Sequence, residues 1–271
     1  MKLFYLPAII LLAVSCTNEI AENTDTGENI LRIGEIDTRS GETNEWVWKE
    51  GDKLTVEANS QTAVYTRTAE GKWTCGNASF TKEKLGMVAT NGVSFTFGQC
   101  EITEDQTTES KYREADYMTG TGSLDVVTIS GSLTHQHTDM VINITEGKGW
   151  NDMFETAMAD AAIGFDIAAG GSHTVKTYHK GATFRAILPP NSVPTGKDIT
   201  LGTLTLGNGN GTPQALRGKT ATIIYTNNNG LTAIGKRLTL TVELDALLNL
   251  TITGITVNNF TGVDVSDELK P

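Results

Sequence analysis

Apolar and polar residues alternate along much of this chain with a period of two, the pattern of strands that bury one face. The cleanest case is Leu238–Leu244: Leu238, Leu240, Val242 and Leu244 share one face, and Thr239, Thr241 and Glu243 the other. Val93, Phe95 and Phe97 form a second inward row. Gln61–Thr68 sets Ala63, Tyr65 and Arg67 against Val64 and Thr66, and Glu70-Gly71 then turns the chain toward Trp73, so 61–75 reads as a hairpin. Residues 46–48 and 53–58 flank a tight acidic turn at Glu50-Gly51-Asp52. Short strands are expected at 116–119 and 124–129, with Gly120-Thr121-Gly122 between them as a turn, and Leu133–Ile144 ends in an alternation of Met140, Ile142 and Ile144. More follow at 173–178, 182–188, 199–206, 220–225 and 249–260. In the last of these, Leu248, Leu250 and Ile252 have one parity and Ile255 and Val257 the other. A bulge at Gly254 would keep both groups on the core.

One stretch has a different period. Trp150, Met153, Phe154, Ala157, Met158 and Ala161 recur at helical spacing and predict one short amphipathic helix near 150–161, packed as core. Gln99–Arg113 is polar and charged and reads as an exposed loop. Many short strands punctuated by Gly and Asn give an all-β chain of Greek-key sandwich type. A boundary near Gly131 divides it into two β-sandwich domains in tandem, 30–130 and 131–271.

The N-terminus is organised differently. Met1–Cys16 has a single lysine, an apolar run at Leu3–Val14, and Leu12-Ala13-Val14-Ser15 before Cys16. The run is too short for the ~20 residues that span a bilayer. It reads as an export signal whose end resembles a lipoprotein processing site, with Cys16 the lipidated residue. Several acyl chains on Cys16 would anchor it far more firmly than one. Residues 17–29 are polar and acidic, a disordered tether. Ile30, Leu31, Ile33 and Ile36 then form an apolar strand that closes at Asp37-Thr38-Arg39. A strand set between a tether and a cleavable arginine can be removed. Arg39 follows this strand, and Arg32 lies inside its apolar run.

The formal net charge of −11 argues against nucleic acid, whose phosphates need basic patches. With Cys16 lipidated, Cys75 and Cys100 remain, and export allows them either to form a disulfide or to stay as free thiols. His135 and His137 are two residues apart, but no third ligand stands at metal-site spacing, and no metal or other cofactor is expected. Asp116, Asp125 and Asp139 are scattered, no nucleophile elbow is present, and no enzyme activity is read here. Trp46, Trp48 and Trp73 read as core, with a sugar-stacking platform the other option.

Taken in order, these landmarks resemble the fimbrillin family of outer-membrane lipoproteins that polymerise into fimbriae. The matching pieces after the lipidation signal are Asp37-Thr38-Arg39, Trp48-Lys49-Glu50-Gly51-Asp52-Lys53, Ala115-Asp116-Tyr117 and Leu133-Thr134-His135-Gln136-His137. Phe184-Arg185-Ala186-Ile187-Leu188-Pro189-Pro190 and Gly235-Lys236-Arg237-Leu238 complete the set. The chain departs from many relatives at Asn191 and at Asn259-Phe260. The resemblance implies two transthyretin-like sandwiches, cleavage after Arg39 by an arginine-specific protease, and loss of the first strand. A neighbouring subunit then fills the groove by donor-strand exchange. Here that donor would be Asn249–Phe260, through Leu250, Ile252, Ile255 and Val257. Implied partners are other fimbrial subunits and, through lipid, the outer membrane. The alternative is a glycan-binding surface lipoprotein.

Overall fold

The computed structural model describes residues 30–38, 48–87, 92–168, 171–209, 212–227 and 234–259. Cys16, Arg39, Trp46, Phe260 and the tail 261–271 lie outside the described residues. The described chain is mostly strand, with helices only a few residues long.

The first half builds one seven-stranded sheet. Its strands are β1 (Arg32–Thr38), β2 (Lys53–Ala58), β3 (Gln61–Arg67), β4 (Trp73–Cys75), β5 (Gly92–Phe97), β6 (Met118–Asp125) and β7 (Thr128–His135). They lie in the order β1-β7-β6-β5-β2-β3-β4. Helix α1 (Lys82–Leu85) is capped by the Thr81 side chain, and α2 (Glu109–Glu114) by that of Thr108. The sheet buries a single face, which carries Leu54, Val56, Tyr65, Phe95, Phe97, Ile129 and Leu133. One sheet can enclose such a core only by curling. Gly122 and Gly131 stand opposite each other in β6 and β7. A Cβ on Gly122 would come within 2.5 Å of the Phe95 ring, and one on Gly131 within 2.6 Å. A Cβ on Gly120 would overlap the Ser132 carbonyl at 1.7 Å. The Gly120-Thr121-Gly122 turn expected from sequence is therefore the middle of β6, where glycine admits a close backbone approach rather than a reversal.

The second half is a two-layer sandwich. Its elements are β8 (Thr138–Glu146), α3 (Phe154–Ala159), β9 (Ala162–Ile167), β10 (His173–Lys176), β11 (Tyr178–Lys180) and β12 (Thr183–Leu188). Then come β13 (Gly196–Thr205), β14 (Thr220–Asn227), β15 (Lys236–Leu244) and β16 (Leu250–Asn259). One sheet runs β10-β9-β13-β14 and the other β11-β12-β8-β15-β16. Between them, Met140, Ile142, Phe184, Leu238, Leu240, Val242 and Leu244 meet Ile163, Phe165, Leu204 and Ile223.

The two halves interlock. The β7 strand runs through Gly131, and the chain changes sheets a few residues beyond it, at 136–137. The stretch expected as an exposed loop, Gln99–Arg113, contains most of α2 and buries Gln106, Tyr112 and Arg113. Gln106 uses its side-chain amide as a strand would: Oε1 accepts from Ile187 N and Nε2 donates to Ile187 O, each at 2.8 Å. Its backbone N–H donates to Lys176 O, and Lys176 N donates to Glu104 O. The segment Glu104–Gln106 thus laces the outer sides of β10 and β12. The helix near 150–161 is shorter than its stripe: Trp150 lies in the turn before it, with Nε1 donating to Leu244 O at 2.7 Å.

Candidate functional site

The first strand is seated in the curled sheet. Leu31, just before β1, is 1% exposed, while Ile33 and Ile36 are half-buried against the same core. Strand β1 runs parallel to β7, pairing Ile33 with Ile129, Ile36 with Gly131 and Thr38 with Leu133. On its other side Leu31 N donates to Phe80 O, and Ile30 bridges Thr81 antiparallel. Residues 80 and 81 follow β4, the far edge of the sheet, so the start of the first strand closes the curl between its two ends. The Tyr65 hydroxyl, reaching from β3, donates to Leu31 O at 2.7 Å inside the core. Burial, with the neighbouring Cys75 thiol, pushes that phenol well above its usual range. Tyr65 and Phe80 stand edge to face at 6.2 Å in the same core that buries Leu31.

Strand β1 carries an irregularity. Ile33 faces Ile129 and Ile36 faces Gly131, so Gly34 and Glu35 together stand opposite Ser130 alone. The extra residue switches parity and lets Ile36 and Thr38 continue the inward row that Leu31 and Ile33 begin. A Cβ on Gly34 would come within 2.6 Å of Ser130 Oγ and 2.7 Å of Thr128 Cγ2.

The last strand is an edge. Strand β16 pairs with β15 from Lys236↔Asn259 to Leu244↔Leu250. The bulge expected from sequence is present: Thr241 faces Gly254 and Val242 faces Ile252, leaving Thr253 unpaired. Ile255 and Val257 lie opposite the buried Leu240 and Leu238. The expectation that they would pack in the core fails, however, because they are 49% and 56% exposed. Leu250 and Ile252 are half-buried against the core.

The remaining candidates separate. Cys75 and Cys100 are both free thiols. Cys75 pairs with Tyr65 on the edge strand β4, three strand spacings from β5, the strand that leads to Cys100. At about 4.8 Å per strand this exceeds the roughly 7 Å Cα reach of a disulfide. His135 Nδ1 lies 2.8 Å from the buried Asp116 carboxylate, and His137 Nδ1 lies 3.2 Å from Ala115 O. Burial holds the His137 imidazole below its usual range. Among the described residues no three His, Cys, Asp or Glu side chains converge as a metal site. Trp48 packs edge to face against Trp73 at 5.0 Å and Phe97 at 5.5 Å, and Arg67 lies over Trp73. These rings are committed to one another.

A buried polar cluster at the junction escaped the sequence reading. The Asp139 carboxylate accepts from Arg185 at 2.6 Å, Arg237 at 2.7 Å and the Tyr112 hydroxyl at 2.6 Å. The Arg185 guanidinium also lies 5.2 Å from the Tyr112 ring centre. Burial alone would raise the Asp139 carboxyl; the charges of Arg185 and Arg237, with the hydrogen bonds from Arg185 and Tyr112, outweigh it and hold it at about 2. The cluster ties α2 to β8, β12 and β15 and has no open face for a ligand. A cleft of about 670 Å3 lies between α2 and the turn before β2, lined by residues that include Lys49, Asp52, Thr55, Phe97 and Arg113. Asp52 and Arg113 close one side of it with an ion pair at 2.8 Å.

No protein-family model matches the sequence, and no curated protein sequence does. Solved structures do. A candidate cell adhesion protein from Bacteroides uniformis superposes with a TM-score of 0.52 at 12% identity, covering 79% of this chain and 93% of that one. Another, from Bacteroides ovatus, gives 0.54 at 10% identity, covering 83% and 96%. This chain therefore has the fold of these Bacteroides cell-adhesion candidates, an all-β architecture that agrees with the fimbrillin resemblance read from its sequence.

Proposed function

We propose that this chain is a structural subunit of surface fimbriae that supports adhesion. In this reading it is exported as an outer-membrane lipoprotein on Cys16, trimmed after Arg39 and polymerised by donor-strand exchange. One observation carries the reading: the strand that closes the first sheet ends at Thr38, one residue before Arg39. A cut there frees the closing strand and leaves the rest of the sheet on the body of the protein.

The energetics support it. Leu31 contributes roughly 1.5–3 kcal/mol by full burial, and its half-buried neighbours Ile30, Ile33 and Ile36 less each. Each backbone hydrogen bond along the strand adds about 0.5–1.5 kcal/mol. Against a domain stability of ~5–15 kcal/mol, losing the strand leaves a marginal sheet with an apolar groove and unpaired edges. Strand addition from another subunit relieves both. Strand β16, at the C-terminal end of the described chain and half exposed, is the donor.

Treating the folded chain from residue 17 with an arginine-specific protease tests this. The expected result is a new N-terminus at Ser40 and a ladder of oligomers. The same chain ending at residue 248 should be cut and remain monomeric. A wild-type chain that is trimmed at Ser40 yet stays monomeric would refute the function. Fatty-acid labelling that is lost in a Cys16→Ala variant checks the anchor.

A further inference from the structure

The first and last strands carry the same irregular pattern. The inward residues of the first are Leu31, Ile33, Ile36 and Thr38, spaced by two, three and two. Those of the last are Leu250, Ile252, Ile255 and Val257, spaced by two, three and two. Three of the four positions are identical, and the fourth exchanges threonine for valine, which has nearly the same shape. In both strands the three-residue step holds a bulge containing a glycine, Gly34-Glu35 in one and Thr253-Gly254 in the other. A straight strand would send half of either set to the wrong face, because side chains alternate with a period of two. Either segment therefore fits a sheet that tolerates a bulge at that step, and the β7 edge opposite Ser130 is one.

Resting on the strand exchange proposed above, we infer that residues 250–257 of a second copy replace residues 31–38 residue for residue. The replacement runs in the same direction, parallel to β7. Leu250 enters the Leu31 site, in the core that holds Tyr65 and Phe80. Ile252 stands opposite Ile129, Ile255 opposite Gly131 and Val257 opposite Leu133. The Thr253-Gly254 pair takes the bulge opposite Ser130.

The incoming strand is the better occupant. At home Ile255 and Val257 are 49% and 56% exposed, whereas the Thr38 site they would reach is 7% exposed and the Ile36 site half-buried. Valine at the Thr38 site buries a methyl where the resident strand buries a hydroxyl. The exchange also removes the Arg32 and Glu35 charges from the edge, since Thr251 and Gly254 stand in their places. Its cost falls at the Gly34 position, where Thr253 meets the tips of Ser130 and Thr128. Both are short side chains on the outer face and can turn away.

Cysteine pairs read the register directly. In a chain carrying Cys75→Ser and Cys100→Ser, Ser132→Cys is combined with Thr256→Cys or, as a mismatch, with Thr253→Cys. Asp37 pairs with Ser132, so Thr256 should stand there after exchange. Thr253 should lie roughly 10 Å away at about 3.3 Å per residue, out of disulfide reach. After cleavage at Arg39 and mild oxidation, the matched pair should give a covalent ladder and the mismatched pair none. A ladder from the mismatched pair, or polymers without a ladder from the matched pair, overturns this register while leaving strand exchange intact. Trimmed chains that form no polymer overturn both.

Discussion

Truncating Leu31 isolates the hold of the first strand on the sheet. Leu31 is 1% exposed and belongs to the first core together with Tyr65 and Phe80. Removing three buried carbons from such a site costs about 2–5 kcal/mol, the higher figure applying where the cavity cannot collapse. The site is stiff. Tyr65 donates to Leu31 O, Leu31 N donates to Phe80 O, and Arg32 N donates to Val127 O, so the backbone on both sides is pinned. Urea unfolding of the uncut chain from residue 17, followed by tryptophan fluorescence, measures the loss. With slopes of about 1–3 kcal/mol/M, the midpoint of Leu31→Ala should fall by on the order of 1 M. The comparison is Ile255→Ala. That side chain is 49% exposed, and its removal should cost about 0.5 kcal/mol or less. Equal midpoints for the two variants would refute the claim that the first strand is part of the core.

Other outcomes follow from the same contacts. Tyr65→Phe removes one buried hydrogen bond and should destabilise the uncut chain by about 1 kcal/mol, while leaving the chain already trimmed at Arg39 nearly unchanged. Asp139→Asn leaves Arg185 and Arg237 without their carboxylate and should cost about 3–5 kcal/mol in thermal or urea unfolding. The pH dependence has a definite sign. The folded carboxyl sits at about 2, below the unfolded value of about 3.9, so its stabilisation is complete above about pH 5 and lost as pH falls through about 2. Asp139→Asn should flatten that acid limb. Gly131→Val drives a side chain against Phe95 and the Thr121 carbonyl and should cost more than the about 1–3 kcal/mol of ordinary overpacking, seen as loss of soluble folded chain.

Alternation was legible wherever a strand buried one face only. Strand β15 falls on the predicted residues, as do β5 and the β3–β4 hairpin, because polar side chains there face solvent. Where both faces are covered, as in β12, the strand expected at 182–188 is present, but alternation could not say which core each residue meets. Phe184-Arg185-Ala186-Ile187-Leu188 is buried throughout, since Arg185 and Ile187 meet the first half while their neighbours meet the sandwich core. Strand β9, with Ile163, Phe165 and Ile167 inward, was hidden by the helical stripe that runs into it through Ala161. Charged residues misled in α2, where Arg113 is buried because Asp52 accepts from it and Tyr112 because Asp139 does. Glycine misled in β6, because a residue that lets two backbones approach looks in sequence like one that lets a chain turn. Of the candidate site, the apolar set of the first strand and the bulge of the last were readable. The clasp of Tyr65 and Phe80 on Leu31 was not, since it joins residues brought together only by the curl of the sheet.

The lacing of Glu104–Gln106 onto β10 and β12 also sets a polarity. On that flank of the second half, the Lys176 and Ile187 backbone groups that could recruit a foreign strand are already engaged by this chain's own Glu104 and Gln106. The flank bounded by β14 and β16 has no such cover among the described residues. A foreign strand added to this half would therefore meet its open edge at β14 or β16, and identical copies joined through that flank alone would close as a pair instead of extending.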